Sequence, residues 1–302
     1  MSRVGIVTVT FNSASVLPDF FESVWRQSHS NFFLFVIDSA STDPTREEIA
    51  AQSDPRLRAV FCEKNIGFGA ATNLGIRLAL ENECEAILLL NNDTVFGPQL
   101  LQPLLDGLKT YRCDMTTPKM LYYDDPKKIW AAGGHLNPWL GYRNHHDGAG
   151  QTDDGRFDRP RRVTFTPFCC ILMHRRVVDT LGFLDEKFFV YTEDADYCFR
   201  AMKARLALWY VPEAQLLHKV SSLTGGEVSD FTVRYCTRNR IYFLSKSLTR
   251  PIALGWYAVY WVYQTFRCLM RRDSPNVWRM KVRSMRDGLE LFRKTNERHT
   301  ST

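Results

Sequence analysis

The feature that most constrains this 302-residue chain is the alternation, over its first 95 residues, of short apolar runs with segments of helical spacing. Val4 to Val9 (VGIVTV), Phe33 to Ile37 (FLFVI), Leu57 to Phe61 and Ile87 to Leu90 read as buried strands. Between them, Ser15 to Gln27, Thr45 to Gln52 and Gly69 to Glu83 carry helical patterns, as in Val16, Phe20 and Val24. Strand–helix–strand units require right-handed crossovers and therefore a parallel sheet. Such sheets bind ligands beyond the carboxyl ends of their strands. That rule singles out Thr10-Phe11-Asn12, Asp38-Ser39, Glu63-Lys64-Asn65 and Asn91-Asn92-Asp93, all polar.

Two nucleotide-binding signatures are missing: no GxGxxG follows the first strand, and no GxxxxGK[ST] occurs anywhere. A dinucleotide-type fold and a P-loop enzyme are therefore disfavoured. In their place, "NIGFGAATNLG" (Asn65 to Gly75) joins the third strand to a helix. Gly67 and Gly69 permit close backbone approach there, and Asn73 lies in the first turns of the helix. An ordinary loop and helix start is the plainer reading. Residues 112–165 read as irregular, with regular structure resuming at Val163 to His174, a helix ending at Gly182, a helix from Asp194 to Arg205 and a strand from Leu208 to Val211.

Three constellations carry chemistry. Asn91-Asn92-Asp93 offers a carboxylate and two amide carbonyls, the ligand type of Mg2+ or Mn2+; the alternative is a capped Asx turn. Glu193-Asp194 follows the aromatic run of "FFVYTEDADY", where a carboxylate in a partly apolar pocket can be tuned as a general base; the alternative is acidic charge at a helix N-terminus. His218, at another strand-like end, is a structural histidine or a neutral imidazole ligand. Lys219 and the Ser221 to Gly226 loop would face a diphosphate, and "RYCTRNR" (Arg234 to Arg240) adds three arginines or a solvated helix face.

Together these stretches resemble the inverting glycosyltransferases of family 2, which have the GT-A fold, and in particular their rhamnosyltransferase-like branch. The resemblance covers roughly residues 4–245 and rests on "VTVTFNSASVLPDFFESVWRQ", "VIDSASTD", "NIGFGAATNLGI", "LLLNNDT", "GFLDEKFFVYTEDADYCFRA" and "LLHKVSSLTGG…RYCTRNRIYFL". It implies an α/β fold with a Rossmann-like, mixed and mostly parallel central sheet flanked by helices, and a C-terminal helical extension. It further implies a nucleotide-diphosphate sugar donor held by Thr10, Asn12, Asp38, Asn65, Gly67, Asn73, Asn92 and Arg238, with Asp93 and His218 as ligands of Mg2+ or Mn2+. Asp194 is the implied base, with Glu193 beside it. The family's paired-acid metal motif has Asn91 in place of its first acid, so the ion would be held more weakly or mostly through phosphates. The acceptor expected is a cell-surface polysaccharide or a polyprenyl-linked glycan. A nucleotidyltransferase and a catalytically silent sugar-nucleotide-binding or scaffold protein are the alternatives.

The expected organisation is a domain over residues 1–245, divided into a nucleotide-sugar half (1–95) and an acceptor half (96–245), followed by a basic, aromatic helical tail over 246–302. The tail carries 12 Lys and Arg against 4 Asp and Glu, which leaves the rest with 27 basic and 29 acidic residues. A nucleic-acid surface on the main domain is therefore not expected. Pro251 to Phe266 contains six aromatic residues and no charge, then arginines cluster. Contact with a membrane surface through residues 251–286 is expected, packing on the domain or in a homodimer being the alternative. Eight cysteines without a CxxC pair and a start without a signal-peptide pattern point to the cytoplasm, at the inner face of the membrane.

Overall fold

The computed structural model of the chain describes residues 2–220 and 229–300. The first half follows the expected alternation: β1 (Val4–Thr10), α1 (Leu17–Trp25), β2 (Phe32–Asp38), α2 (Thr45–Ala50), β3 (Leu57–Phe61), α3 (Gly67–Glu81) and β4 (Ala86–Leu90). Strand β1 pairs in parallel with both β2 and β4, and β2 with β3. Period-two alternation sends Ile6, Leu34, Val36, Leu88 and Leu90 to the core under α1, and Val7, Phe35, Ile87 and Leu89 to the core under α3. Helix α3 sits directly on β1, because a Cβ at Gly75 would stand 2.3 Å from Val7 Cγ1.

Residues 112–165 are not irregular. After β5 (Thr94–Val95) and α4 (Leu101–Thr110) they contain β6 (Met115–Tyr122), β7 (Ile129–Ala131), β8 (Gly134–Asn137), β9 (Arg143–His146) and β10 (Arg161–Val163). Short, polar strands such as "GHLN" and "RNHH" have no hydrophobic period to read, and Pro118 interrupts the longest. Then come β11 (Cys170–His174), α5 (Arg175–Leu181), α6 (Glu193–Lys203) and β12 (Leu208–His218), the last running seven residues beyond the expected Val211. The sheet order is β10-β12-β6-β11-β4-β1-β2-β3, with β5 on β12 and β7 on β6. Opposite Pro118, which has no N–H to give, β12 shifts register between Val211 and Gln215.

The chain ends in α7 (Asp230–Ser247), α8 (Arg250–Leu269) and α9 (Pro275–Thr300). The expected boundary at residue 245 falls inside α7. Helix α9 lies close along α7, where a Cβ at Gly288 would meet the Arg238 carbonyl at 2.4 Å, and it buries Met285 in the same core as α6 and α7. Likewise the 95/96 division runs through one continuous sheet. No helix among the described residues is long and apolar enough to cross a membrane.

Candidate active site

The carboxyl ends of β1 and β2 are paired at Thr10 and Asp38. Asp38 is 0% exposed, and its carboxylate accepts from Thr10 Oγ1 at 3.0 Å, Ser41 N at 3.1 Å, Ser41 Oγ, and Arg46 Nε at 2.8 Å. A carboxylate so enclosed has its oxygens filled by the protein. It fixes the 39–46 turn instead of presenting itself to a ligand. Asn12, in the left-handed region at φ 52°, accepts from Thr42 N at 2.8 Å through Oδ1 and donates from its own N–H to Ser41 Oγ. Asn65 Oδ1 accepts from Gly67 N and Ser39 Oγ, so the ends of β2 and β3 are tied together. Arg46, which also donates to the Cys62 carbonyl, had no sequence signal beyond its place near an acid.

At the end of β4 the amide of Asn92 donates to Val9 O at 2.7 Å and to Ser13 Oγ at 3.2 Å, bracing β4 against β1. Asp93 comes next. Strand β5 pairs with the end of β12, setting His218 opposite Thr94, and Lys219 N donates to Asp93 O at 2.8 Å. The outcome is a buried pair in which His218 Nε2 lies 3.3 Å from Asp93 Oδ1. That separation is close to the roughly 3 Å between adjacent ligands of an octahedral Mg2+ or Mn2+ ion, so one oxygen and one nitrogen fit an ion of this kind. Among the described residues no group of three or more His, Cys, Asp and Glu is placed to hold a metal, so water and phosphate would complete the shell. Trp130 packs edge-on against His218 at 4.3 Å and against His146 at 5.0 Å; neither neighbour was foreseen.

Glu193 and Asp194 open α6 at the end of a strained loop. Phe189, Tyr191 and Thr192 all have φ between 67° and 76°, unusual for non-glycine residues. The loop is held from two sides. From α7, the fully buried Asn239 donates through Nδ2 to the carbonyls of Phe188, Val190 and Tyr191, and Arg238 donates to those of Lys187 and Phe188. From α3, Asn73 donates to Leu184 O and Glu186 Oε1 and accepts from Leu184 N, while Phe68 N donates to Phe189 O. Asn73 and Arg238 were expected at the donor; their polar atoms here position the loop that carries the acids. Gly67, at φ 81°, lies against Phe189.

Glu193 is buried with Oε2 unpartnered, and burial first, then the charge of Asp194, pushes its carboxyl well above the usual range. Burial also raises Asp194, while the N–H of Ala195, donating to Oδ1 at 2.7 Å, pulls it back. The pair is thus split: Glu193 keeps its proton, and the partly exposed Asp194 ionises first. Phe168 packs on Tyr197 of α6, and the next residue, Cys169, lies beside His218, so the lead-in to β11 links the acid pair to Asp93 and His218. Lys219 pairs with Asp19, and Arg240 donates to the carbonyls of Leu140 and Gly141. The Ser221 to Gly226 loop lies outside the described residues.

A mixed sheet of this order, with acids gathered at its carboxyl edge, defines a GT-A architecture. Two solved structures share it: GalNAc-T7 with UDP, GalNAc and Mn2+ (TM-score 0.61, 15% identity, covering 81% of this chain and about half, 48%, of that one), and the mannosyltransferase PcManGT from Pyrobaculum calidifontis in complex with GDP-Man and Mn2+ (TM-score 0.57, 12% identity, 95% and 87%). Residues 5–182 match the profile described as Glycosyl transferase family 2, and the chain belongs to that family. It is 26% identical over 249 residues to the N-acetylglucosaminyl-diphospho-decaprenol L-rhamnosyltransferase of Mycobacterium tuberculosis, covering 73% of this chain and 77% of the relative. To the dTDP-rhamnosyl transferase RfbF of Shigella flexneri it is 20% identical over 225 residues, 72% and 70%.

Proposed function

We propose that this glycosyltransferase transfers a deoxyhexose, rhamnose, with inversion from a nucleotide-diphosphate donor to a cell-surface polysaccharide or polyprenyl-linked glycan. The two rhamnosyltransferase relatives support the donor class. The observation that supports catalysis most is the buried Asp93–His218 pair, linked through Cys169 and Phe168 to the helix that begins with Glu193 and Asp194. Residues 1–245 form the proposed catalytic domain, 1–95 its donor half and 96–245 its acceptor half, with 246–302 as the attached tail. The proposed setting is the cytoplasm, at the inner face of its membrane. Eight free cysteines suit a reducing compartment.

The mechanism follows from what each residue is free to do. The nucleoside would lie on the strand ends at Thr10, Asn12, Asn65 and Gly67, with Asp38 fixing the turn beneath it. Asp93 and His218 would hold Mg2+ or Mn2+, which supplies charge stabilisation to the departing diphosphate. Asp194, ionised at neutral pH, takes the proton of the acceptor hydroxyl as that oxygen attacks the anomeric carbon. Glu193, protonated beside it, keeps a second negative charge out of the pocket. One displacement with one base inverts the anomeric centre, unlike hydrolases that work with two carboxylates.

Thermal stabilisation across a panel of nucleotide sugars, with and without Mn2+, tests the donor assignment. A dTDP-rhamnose shift that requires Mn2+ and is lost in Asp93→Ala is expected. Equal shifts with and without the ion, or none with any nucleotide sugar, would remove the basis of the proposal.

A further inference from the structure

Helix α8 is bound to the body by one face only. Trp256, Tyr257 and Tyr260 pack on the core beside α6 and α7, and Gly141 of the β8–β9 turn lies against Trp256. The outward face is apolar and uncovered. Ile252, Val259, Val262, Phe266 and Leu269 form a seam along it, the last 76% exposed. Leu254 and Trp261 extend the strip on one side and Tyr263 and Met270 on the other. At 100° per residue the strip covers about half the helix circumference, wider than the seam of a two-helix contact. The turn that touches Trp256 adds Trp139, 87% exposed, and Leu140 next to it.

The unpaired charges flanking this strip have one sign. Pro251 to Phe266 has none, while Arg250 precedes the strip and Arg271 and Arg272 follow it, all exposed. Helix α9 adds exposed Arg279, Arg283 and Arg286 at helical spacing. None of these six pairs with a carboxylate among the described residues, whereas Arg267 and Lys281 share Asp273. A second copy on the strip would set cations against cations in either helix direction. Anionic headgroups would neutralise both ends and admit Trp139 and Trp261 at the interface.

We propose that α8, with Trp139 of the adjoining turn, is a docking face for an anionic lipid bilayer, the helix lying in the interface with its arginines on the headgroups. The face is independent of which sugar the enzyme transfers. No helix among the described residues can span a bilayer, and the inward side of α8 is occupied by protein.

The test is flotation of the full chain with vesicles of phosphatidylcholine alone or mixed with phosphatidylglycerol. Expected is a partition about tenfold higher on the mixed vesicles that falls as salt is raised. The exposed-face variant Val262→Asp/Phe266→Asp should lose it while keeping the circular dichroism of the parent. Arg271→Glu/Arg272→Glu and, separately, Trp139→Ala should weaken it without loss of fold. Absence of binding to mixed vesicles overturns the proposal, as does undiminished binding by the double aspartate variant. A full-chain dimer in sedimentation that the same variant splits would also overturn it, assigning the seam to a second copy.

Discussion

His218 Nε2 lies 3.3 Å from Asp93 Oδ1, the two brought together because β5 pairs with the last residues of β12. Burial alone would favour a neutral imidazole, but charge interaction with Cys169, then hydrogen bonding and charge interaction with Asp93, raise its pKa. Since burial also pushes the Cys169 thiol up, the Asp93 carboxylate 3.3 Å away is the partner that favours the protonated imidazole. An imidazole binds metal only when neutral. Ion binding must then release a proton, and Mn2+ affinity should rise about tenfold per pH unit below the histidine pKa. Calorimetry in two buffers of different ionisation enthalpy reads the release directly. Binding with no proton release, unchanged in His218→Ala, would show that the ion sits elsewhere.

Asp194→Asn should lower the transfer rate by about 10^2 to 10^4, the span of a positioned general base, with donor affinity nearly unchanged. In the parent enzyme the rate should fall as pH drops from neutrality, beginning above the ordinary carboxylate range because burial raises this acid. Steady-state kinetics across pH in both proteins checks this. A full rate in the asparagine variant would remove Asp194 from the role.

Glu193 sets a stability prediction. Its folded pKa is raised above the unfolded value, so its contribution to stability is complete at acid pH and is lost as pH climbs through the folded pKa. Glu193→Gln removes that titration. Its melting temperature should exceed the parent's by a margin that grows, to a few degrees, between about pH 5 and about pH 9. A margin that is flat or shrinks with pH would mean the acid is not held protonated.

The strained loop gives a paired comparison. A Cβ on Gly67 would stand 2.5 Å from Phe189 Cδ2 and 2.7 Å from its carbonyl oxygen, at φ 81°; on Gly69 the nearest atom would be 3.6 Å away. Gly67→Ala should destabilise the fold by about 1–3 kcal/mol and cut turnover by displacing the loop that ends in Glu193, while Gly69→Ala is tolerated. Urea unfolding with turnover numbers for both variants checks it. Asn239→Ala, which strips the donor from three loop carbonyls, should resemble Gly67→Ala.

The first half of the chain was legible because strands buried on both faces read as unbroken apolar runs, so β1 to β4 stood out at nearly their true bounds. The other half was not, since β8 and β9 are short and polar and Pro118 masks β6, whose buried Lys119 is neutralised by Asp153 and Asp158. At the site, the sequence pointed to Asp93, His218 and Asp194 as types in a pattern. It could not reveal that Asp38 is sealed, that Asn73 and Arg238 brace a loop, or that Asn239 holds three carbonyls, because these depend on long-range partners chosen by the fold.

The central claim is sugar transfer from a nucleotide-diphosphate donor through a site made by Asp93, His218 and Asp194. Phosphorus NMR of dTDP-rhamnose with the enzyme, Mn2+ and a polyprenyl-diphosphate-linked acceptor tests it most directly, with proton NMR of the product anomeric centre. Expected are release of the nucleoside diphosphate, an inverted anomeric configuration, and loss of both in Asp93→Ala and Asp194→Asn. Release of pyrophosphate, retention at the anomeric centre, or equal turnover by these variants would contradict it.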